Sequence, residues 1–174
     1  SVFGALPHPN RSPCVLDFTR FQFSCNPDVF NSAVISQQSR RPIFYFTTDS
    51  NAPGYTVMRT ADKHTLGLVD WRHSRPRVEM HNTMSRRDAR DWLRLSNVRN
   101  SRTMEVHGHH YTWRPQGDLI CLWYAGSEGS MLARISIREN NQVCLDMTNV
   151  AMGLNLLESC VFAAFLLSCR RHID

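Results

Sequence analysis

Hydrophobic and polar positions alternate in short runs over most of the chain and then give way, near its end, to one almost unbroken apolar stretch. Val15 to Phe23 sets Val15, Asp17, Thr19 and Phe21 against Leu16, Phe18, Arg20 and Gln22, which is the period of a strand with one buried face. Ile43 to Thr48 is β-branched and aromatic, Ser50-Asn51-Ala52-Pro53-Gly54 is a turn, and Tyr55 to Thr60 returns as a partner strand. Thr65 to Arg72 and Arg77 to His81, broken by Ser74-Arg75-Pro76, predict a further meander-like hairpin. Ser85 to Leu95 changes period: Ala89, Trp92 and Leu93 fall on one helical face and Ser85 with Asp88 gives a capping signal, so a short surface helix is predicted. Arg102 to Val106 and His109 to Arg114 flank a His107-Gly108 turn, with Gly108 suited to positive φ. Leu119 to Tyr124 and Met131 to Arg138 flank a Gly-Ser-Glu-Gly loop, and Gln142 to Asp146 reads as the last strand before a lead-in over Thr148 to Leu154.

The apolar stretch, Asn155 to Arg171, predicts one helix buried on every side, because no polar stripe is left to face water. Asn155 is placed to cap it, with Glu158 three residues on as the reciprocal partner, while Arg170 and Arg171 suit the negative end of its dipole. Glu158 leaves only Ser159 to Cys169 uncharged, too short for a bilayer span of roughly 18 to 20 residues, so a protein shell must enclose the helix. Many antiparallel strands and one wholly apolar helix suggest a closed barrel filled by that helix.

Composition refines this picture at three points. The chain has 174 residues, the size of one domain, and the reading is a loose, proline-bearing extension over 1-13, with no signal peptide, followed by a single domain over 14-174. The net charge of +5 is uneven: Arg72 to Arg102 holds nine arginines against Glu79, Asp88 and Asp91, so the rest of the chain is nearly neutral. Six cysteines without C-x-x-C spacing read as reduced thiols of an intracellular protein, with Cys160 and Cys169 packed in the helix.

The order of segments resembles the fungal tubby-like domains of unknown function that are related to the LURP-one proteins and phospholipid scramblases. The resemblance runs from about Leu16 to Arg171 and rests on Ile43-Phe44-Tyr45-Phe46-Thr47-Thr48, Leu68-Val69-Asp70-Trp71, Asp91-Trp92-Leu93, Gly108 with Tyr111-Thr112-Trp113, Leu132-Ala133-Arg134 and the final helix ending in Arg170-Arg171. It implies a mainly β fold, a closed antiparallel tubby-like β-barrel of about twelve strands around a buried C-terminal helix. It brings no catalytic motif, and a shared fold does not supply a function.

Among candidate sites, His107, His109 and His110 cluster, but neighbours in a strand point to opposite faces and no third ligand is offered by spacing, so no metal and no cofactor is expected. Tyr111, Trp113 and His109 share a strand face, where aromatics are ordinarily core. No Gly-x-Ser-x-Gly, His-Glu-x-x-His or phosphate-binding glycine loop occurs, and Glu158 is better explained by capping than by catalysis. What remains is arginine: Arg86, Arg90 and Arg94 at i, i+4 and i+8 would line one face of the predicted surface helix, with Arg87 able to pair with Asp91. Arg72, Arg75 and Arg77 would enlarge the patch if the fold gathers them. The expectation is a non-enzymatic binding module, cytoplasmic and peripheral to a membrane, that meets anionic phospholipid head groups through these arginines. The alternative partner is an acidic protein; nucleic acid has thinner support, since only Trp71 and Trp92 offer aromatic surface in the basic segment.

Overall fold

A computed structural model describes residues 17–25, 28–125 and 129–174. The extension expected over 1-13, Cys14 and the start of the first expected strand lie outside them. Among these residues thirteen strands form one antiparallel sheet. They are β1 (Phe18–Phe23), β2 (Ser32–Ser36), β3 (Arg41–Thr47), β4 (Tyr55–Thr60), β5 (Thr65–Asp70), β6 (Arg77–Met80), β7 (Met84–Asp88), β8 (Arg94–Leu95), β9 (Arg102–Val106), β10 (His109–Gln116), β11 (Leu119–Tyr124), β12 (Ala133–Ile137) and β13 (Val143–Thr148). Among the described residues a 3-10 turn at Val29–Asn31 and three α-helices complete the fold: α1 (Ala89–Trp92), α2 (Asn149–Gly153) and α3 (Leu157–Ser168).

The topology is two meanders joined back to back. β1 to β7 pair consecutively, as do β8 to β13, and the ladder between β1 and β13, from Phe18 opposite Thr148 to Gln22 opposite Cys144, unites them. The two edges of the sheet are therefore β7 and β8, which are neighbours in sequence, so the sheet has to curl until its edges approach. They do not pair: among the described residues no ladder joins β7 to β8, and the sheet is not closed by hydrogen bonds as the sequence reading expected. The gap is bridged by α1. Ala89 N–H donates to the Pro76 carbonyl at 2.8 Å on the β6 side, while Trp92 Nε1 donates to the Glu105 carbonyl of β9 at 3.2 Å.

This corrects the helix predicted over Ser85 to Leu95. Only four of its residues are helical; Met84–Asp88 pairs with β6 and Arg94–Leu95 with β9, because ladder pairing at two open sheet edges outweighs a weak local preference. Its inward face is the expected one, since Ala89, Trp92 and the following Leu93 are buried while Asp91 is exposed.

The apolar helix lies where the sheet curls. From Ser159 to Leu166 every residue of α3 is buried, and Phe165 stacks on Phe46 with ring centroids 4.4 Å apart while meeting the edges of Phe30 and Trp71. Phe162 packs against Trp92 and fits over Gly67, where an added Cβ would come within 3.0 Å of its ring. The expected cap is not used. Asn155 has φ of 56° and ends the α2 turn, Leu156 occupies the cap position, and no side chain caps α3. Left-handed backbone suits asparagine there, which is why the residue reads as a cap in sequence yet serves the preceding turn.

Candidate functional site

The alternation that buries Gly67 and Val69 of β5 against α3 sends Leu68 and Asp70 to the outer face. The register sets Tyr55, Asp70, Arg77 and Asp88 in one row across β4 to β7. Asp70 is the centre of this row. Its side chain is fully enclosed, and it accepts from Arg72 in a two-pronged contact, Nε to Oδ1 and Nη2 to Oδ2, both at 3.0 Å. The Arg72 amide adds a bond at 3.1 Å, Arg86 Nη2 donates to Oδ2, and His73 Nε2 stands 3.4 Å away. Hydrogen bonds from Arg72, with its charge and that of His73, hold the Asp70 carboxyl far below the usual carboxylate range despite burial.

Two further details fix Arg72. Its guanidinium lies 4.2 Å over the Tyr55 ring, and its stem passes so close to Gly54 that a Cβ there would meet Arg72 Cγ at 2.3 Å. The glycine is needed for room rather than for its backbone angle. Farther along the row, Asp88 lies between Arg77, Nε to Oδ1 at 3.9 Å, and Arg90, Nε to Oδ2 at 3.8 Å. Four guanidinium groups thus surround two carboxylates, leaving a positive excess on one outer face, and each arginine side chain keeps 40% to 54% of its surface exposed.

Of the arginines expected to act together, Arg72, Arg77, Arg86 and Arg90 are gathered by Asp70 and Asp88. Arg75 stands exposed in the connection between β5 and β6. Arg94 is on β8, beyond α1, so Arg86, Arg90 and Arg94 do not form the helical stripe that their spacing suggested. Arg87 contacts the Ser85 carbonyl at 3.4 Å rather than Asp91. The sequence reading missed Asp70 as organiser; its signal was an acid at an outward strand position beside Arg72. It also missed a second cluster on β1, β12 and β13. There the buried Asp146 takes Arg20 at 2.7 and 2.9 Å and Arg134 at 2.9 Å, and these bonds outweigh burial to keep its pKa low.

The other candidates fall as follows. Tyr111 and Trp113 are core, and Trp113 Nε1 contacts the Met104 sulfur. His109 and His110 are exposed on opposite strand faces, with His109 Nδ1 3.0 Å from the Tyr124 hydroxyl. No group of three possible metal ligands is assembled among the described residues. Cys121, Cys144, Cys160 and Cys169 are buried free thiols, and burial pushes each pKa up, which makes them poor nucleophiles. No described helix is long and apolar enough to cross a membrane.

These features define a mainly β protein in which a curled antiparallel sheet surrounds an apolar helix and bears an arginine and aspartate cluster outside. The chain belongs to a family of unknown function, DUF6593, which matches residues 27–172. It is also similar to an X-ray structure of a protein from Arabidopsis thaliana, at 10% identity and a TM-score of 0.44, covering 85% of this chain and 91% of that one. No curated protein matches.

Proposed function

We propose that the protein is a non-enzymatic binding module that takes the phosphate head groups of anionic phospholipids on the outer face of β5 to β7. In this reading it acts in the cytoplasm as a peripheral membrane protein, with a fold of tubby-like, LURP-one-related kind. The observation that carries it is the enclosed Asp70. A guanidinium has five N–H donors in a fixed fork, and Asp70 uses two groups of Arg72 and one of Arg86, so the remaining donors are oriented outward before any ligand arrives. Holding them in place lowers the ordering cost of binding. The carboxylate itself is out of reach of solvent, so an approaching phosphate meets guanidinium edges. Each basic residue near an anionic leaflet contributes about 1 kcal/mol, screened over about 8 Å at physiological salt.

Vesicle co-sedimentation tests this. The protein should sediment with phosphatidylserine-containing vesicles at low salt, not with neutral ones, and release as salt rises. Arg75→Glu with Arg77→Glu should cut binding at least about tenfold, because two charges are reversed at positions that enclose no buried acid. Equal sedimentation with neutral and anionic vesicles, or none at any salt, rejects the lipid reading and leaves an acidic protein as the partner of this face.

A further inference from the structure

The outer face around the β1 and β13 ladder carries a charged row of its own, apart from the arginine face of β5 to β7. Register places Arg20, Asp146, Arg134, Cys121 and Arg114 side by side across β1, β13, β12, β11 and β10. Three guanidinium groups stand there against one carboxylate, and Asp146 is only 2% exposed. The flanking row from Gln22 through Cys144, Ser136 and Leu119 to Gln116 is uncharged, so nothing in it neutralises the excess. Asp118 and Glu139 belong to the turns that end the strands. Arg138 continues the strand of Arg134, its amide on the Gln142 carbonyl at 2.9 Å, and alternation turns it to the same side.

These arginines lie along the sheet rather than rising from it. The Arg134 guanidinium is 4.2 Å over the Phe18 ring and that of Arg114 is 5.4 Å over Trp123, while Cys121 and Cys144 are covered although they point outward. Arg20 gives Nε and Nη2 to Asp146 whereas Arg134 gives Nε alone, so both keep further donors of the fork. Their side chains are 40% and 30% exposed, so those donors are within reach of a partner. The guanidiniums already occupy ring faces of Phe18 and Trp123 that a nucleic acid base would need for stacking. A low-lying row also suits a narrow chain laid against the sheet better than a bilayer. Spacing narrows the partner further. Strands lie about 4.8 Å apart, so Arg20, Arg134 and Arg114, on every second strand, recur at about 10 Å. In a polyproline II chain every third side chain returns to the same side after about 9 Å, whereas in a β-strand it points away. We infer that this row docks an acidic protein segment in polyproline II conformation that carries a carboxylate at every third residue. The site is separate from the Asp70 cluster and stands whether or not that cluster binds lipid.

The test is an amide chemical-shift titration of the intact chain at low salt with a peptide of Glu-Pro-Pro repeats. The comparisons are a peptide of the same composition with its glutamates grouped at one end, a Gln-Pro-Pro peptide, oligothymidylate and soluble short-chain phosphatidylserine. The repeat peptide should give saturable shifts at Arg114, Cys121 and Arg134, with affinity at least about tenfold above the glutamine peptide and severalfold above the grouped one. Arg114→Glu with Arg138→Glu reverses two exposed charges that enclose no acid, and should cut that affinity at least about tenfold. The comparison of spaced with grouped peptide decides the question even where that variant is destabilised. Arg75→Glu with Arg77→Glu should leave these shifts unchanged, which separates this face from the lipid reading. The proposal is overturned by the absence of saturable shifts at these residues or by equal affinity for the spaced and grouped peptides. Unaltered binding by the folded Arg114 and Arg138 double variant, or tighter binding of oligothymidylate or phosphatidylserine at this row, overturns it as well.

Discussion

At Asp70, one carboxylate decides the geometry of two arginines, and Gly54 decides whether one of them can reach it. Replacing Gly54 with alanine would put a methyl group 2.3 Å from Arg72 Cγ, at the stem of the side chain where little can give. Gly54→Ala is expected to destabilise the protein by about 1 to 3 kcal/mol, the usual scale of overpacking. The same substitution in an Arg72→Ala background should cost much less, because the clashing atoms are gone; a double-mutant cycle from urea midpoints reads the difference. Equal costs in both backgrounds would mean that Arg72 is not held against Gly54. This contact was not legible in the sequence. Gly54 there closes an evident turn, and nothing in Pro53-Gly54 announces an arginine eighteen residues on.

Among the elements, β4, β9 and β11 were legible with the bounds they have, since each is β-branched or aromatic and adjoins a turn. β2 was not, because Ser-Ala-Val-Ile-Ser is short and only weakly apolar. Nor were β7 and β8, whose strand state comes from partners across the sheet rather than from their own residues. The Arg20 to Asp146 pair spans 126 residues, so only the fold could reveal it, although an acid inside the otherwise apolar run Val143-Cys144-Leu145 was a clue. The buried state of α3 was evident from its unbroken apolar run. Phe165→Ala should cost about 3 to 5 kcal/mol, the range for an aromatic lost from a close-packed core. A shift in urea midpoint too small for that range would show that α3 is not the centre of packing.

Across the whole molecule, three aspartates, Asp70, Asp146 and Asp174, have pKa values held below the ordinary range by arginine partners. A carboxyl depressed in the folded state contributes stability that is complete above its unfolded value, about 3.9, and is lost as pH falls toward the folded value. The protein should therefore keep its stability down to about pH 4 and lose it progressively below. Asp70→Asn should flatten that acid limb while lowering stability at neutral pH, as measured by thermal midpoints across pH 2 to 7. An acid limb unchanged by Asp70→Asn would show that Asp70 carries none of it.

The junction between β7 and β8 adds a property of another kind. Everywhere else, separating neighbouring strands breaks a row of backbone hydrogen bonds, whereas here it requires only that α1 lift, with Trp92 leaving its seat on Phe162 and Glu105. The molecule thus has a line along which it breathes at less than the cost of global unfolding. Hydrogen exchange under native conditions should find the amides of α1, Ala89 on the Pro76 carbonyl among them, opening well before those of the β1 and β13 ladder.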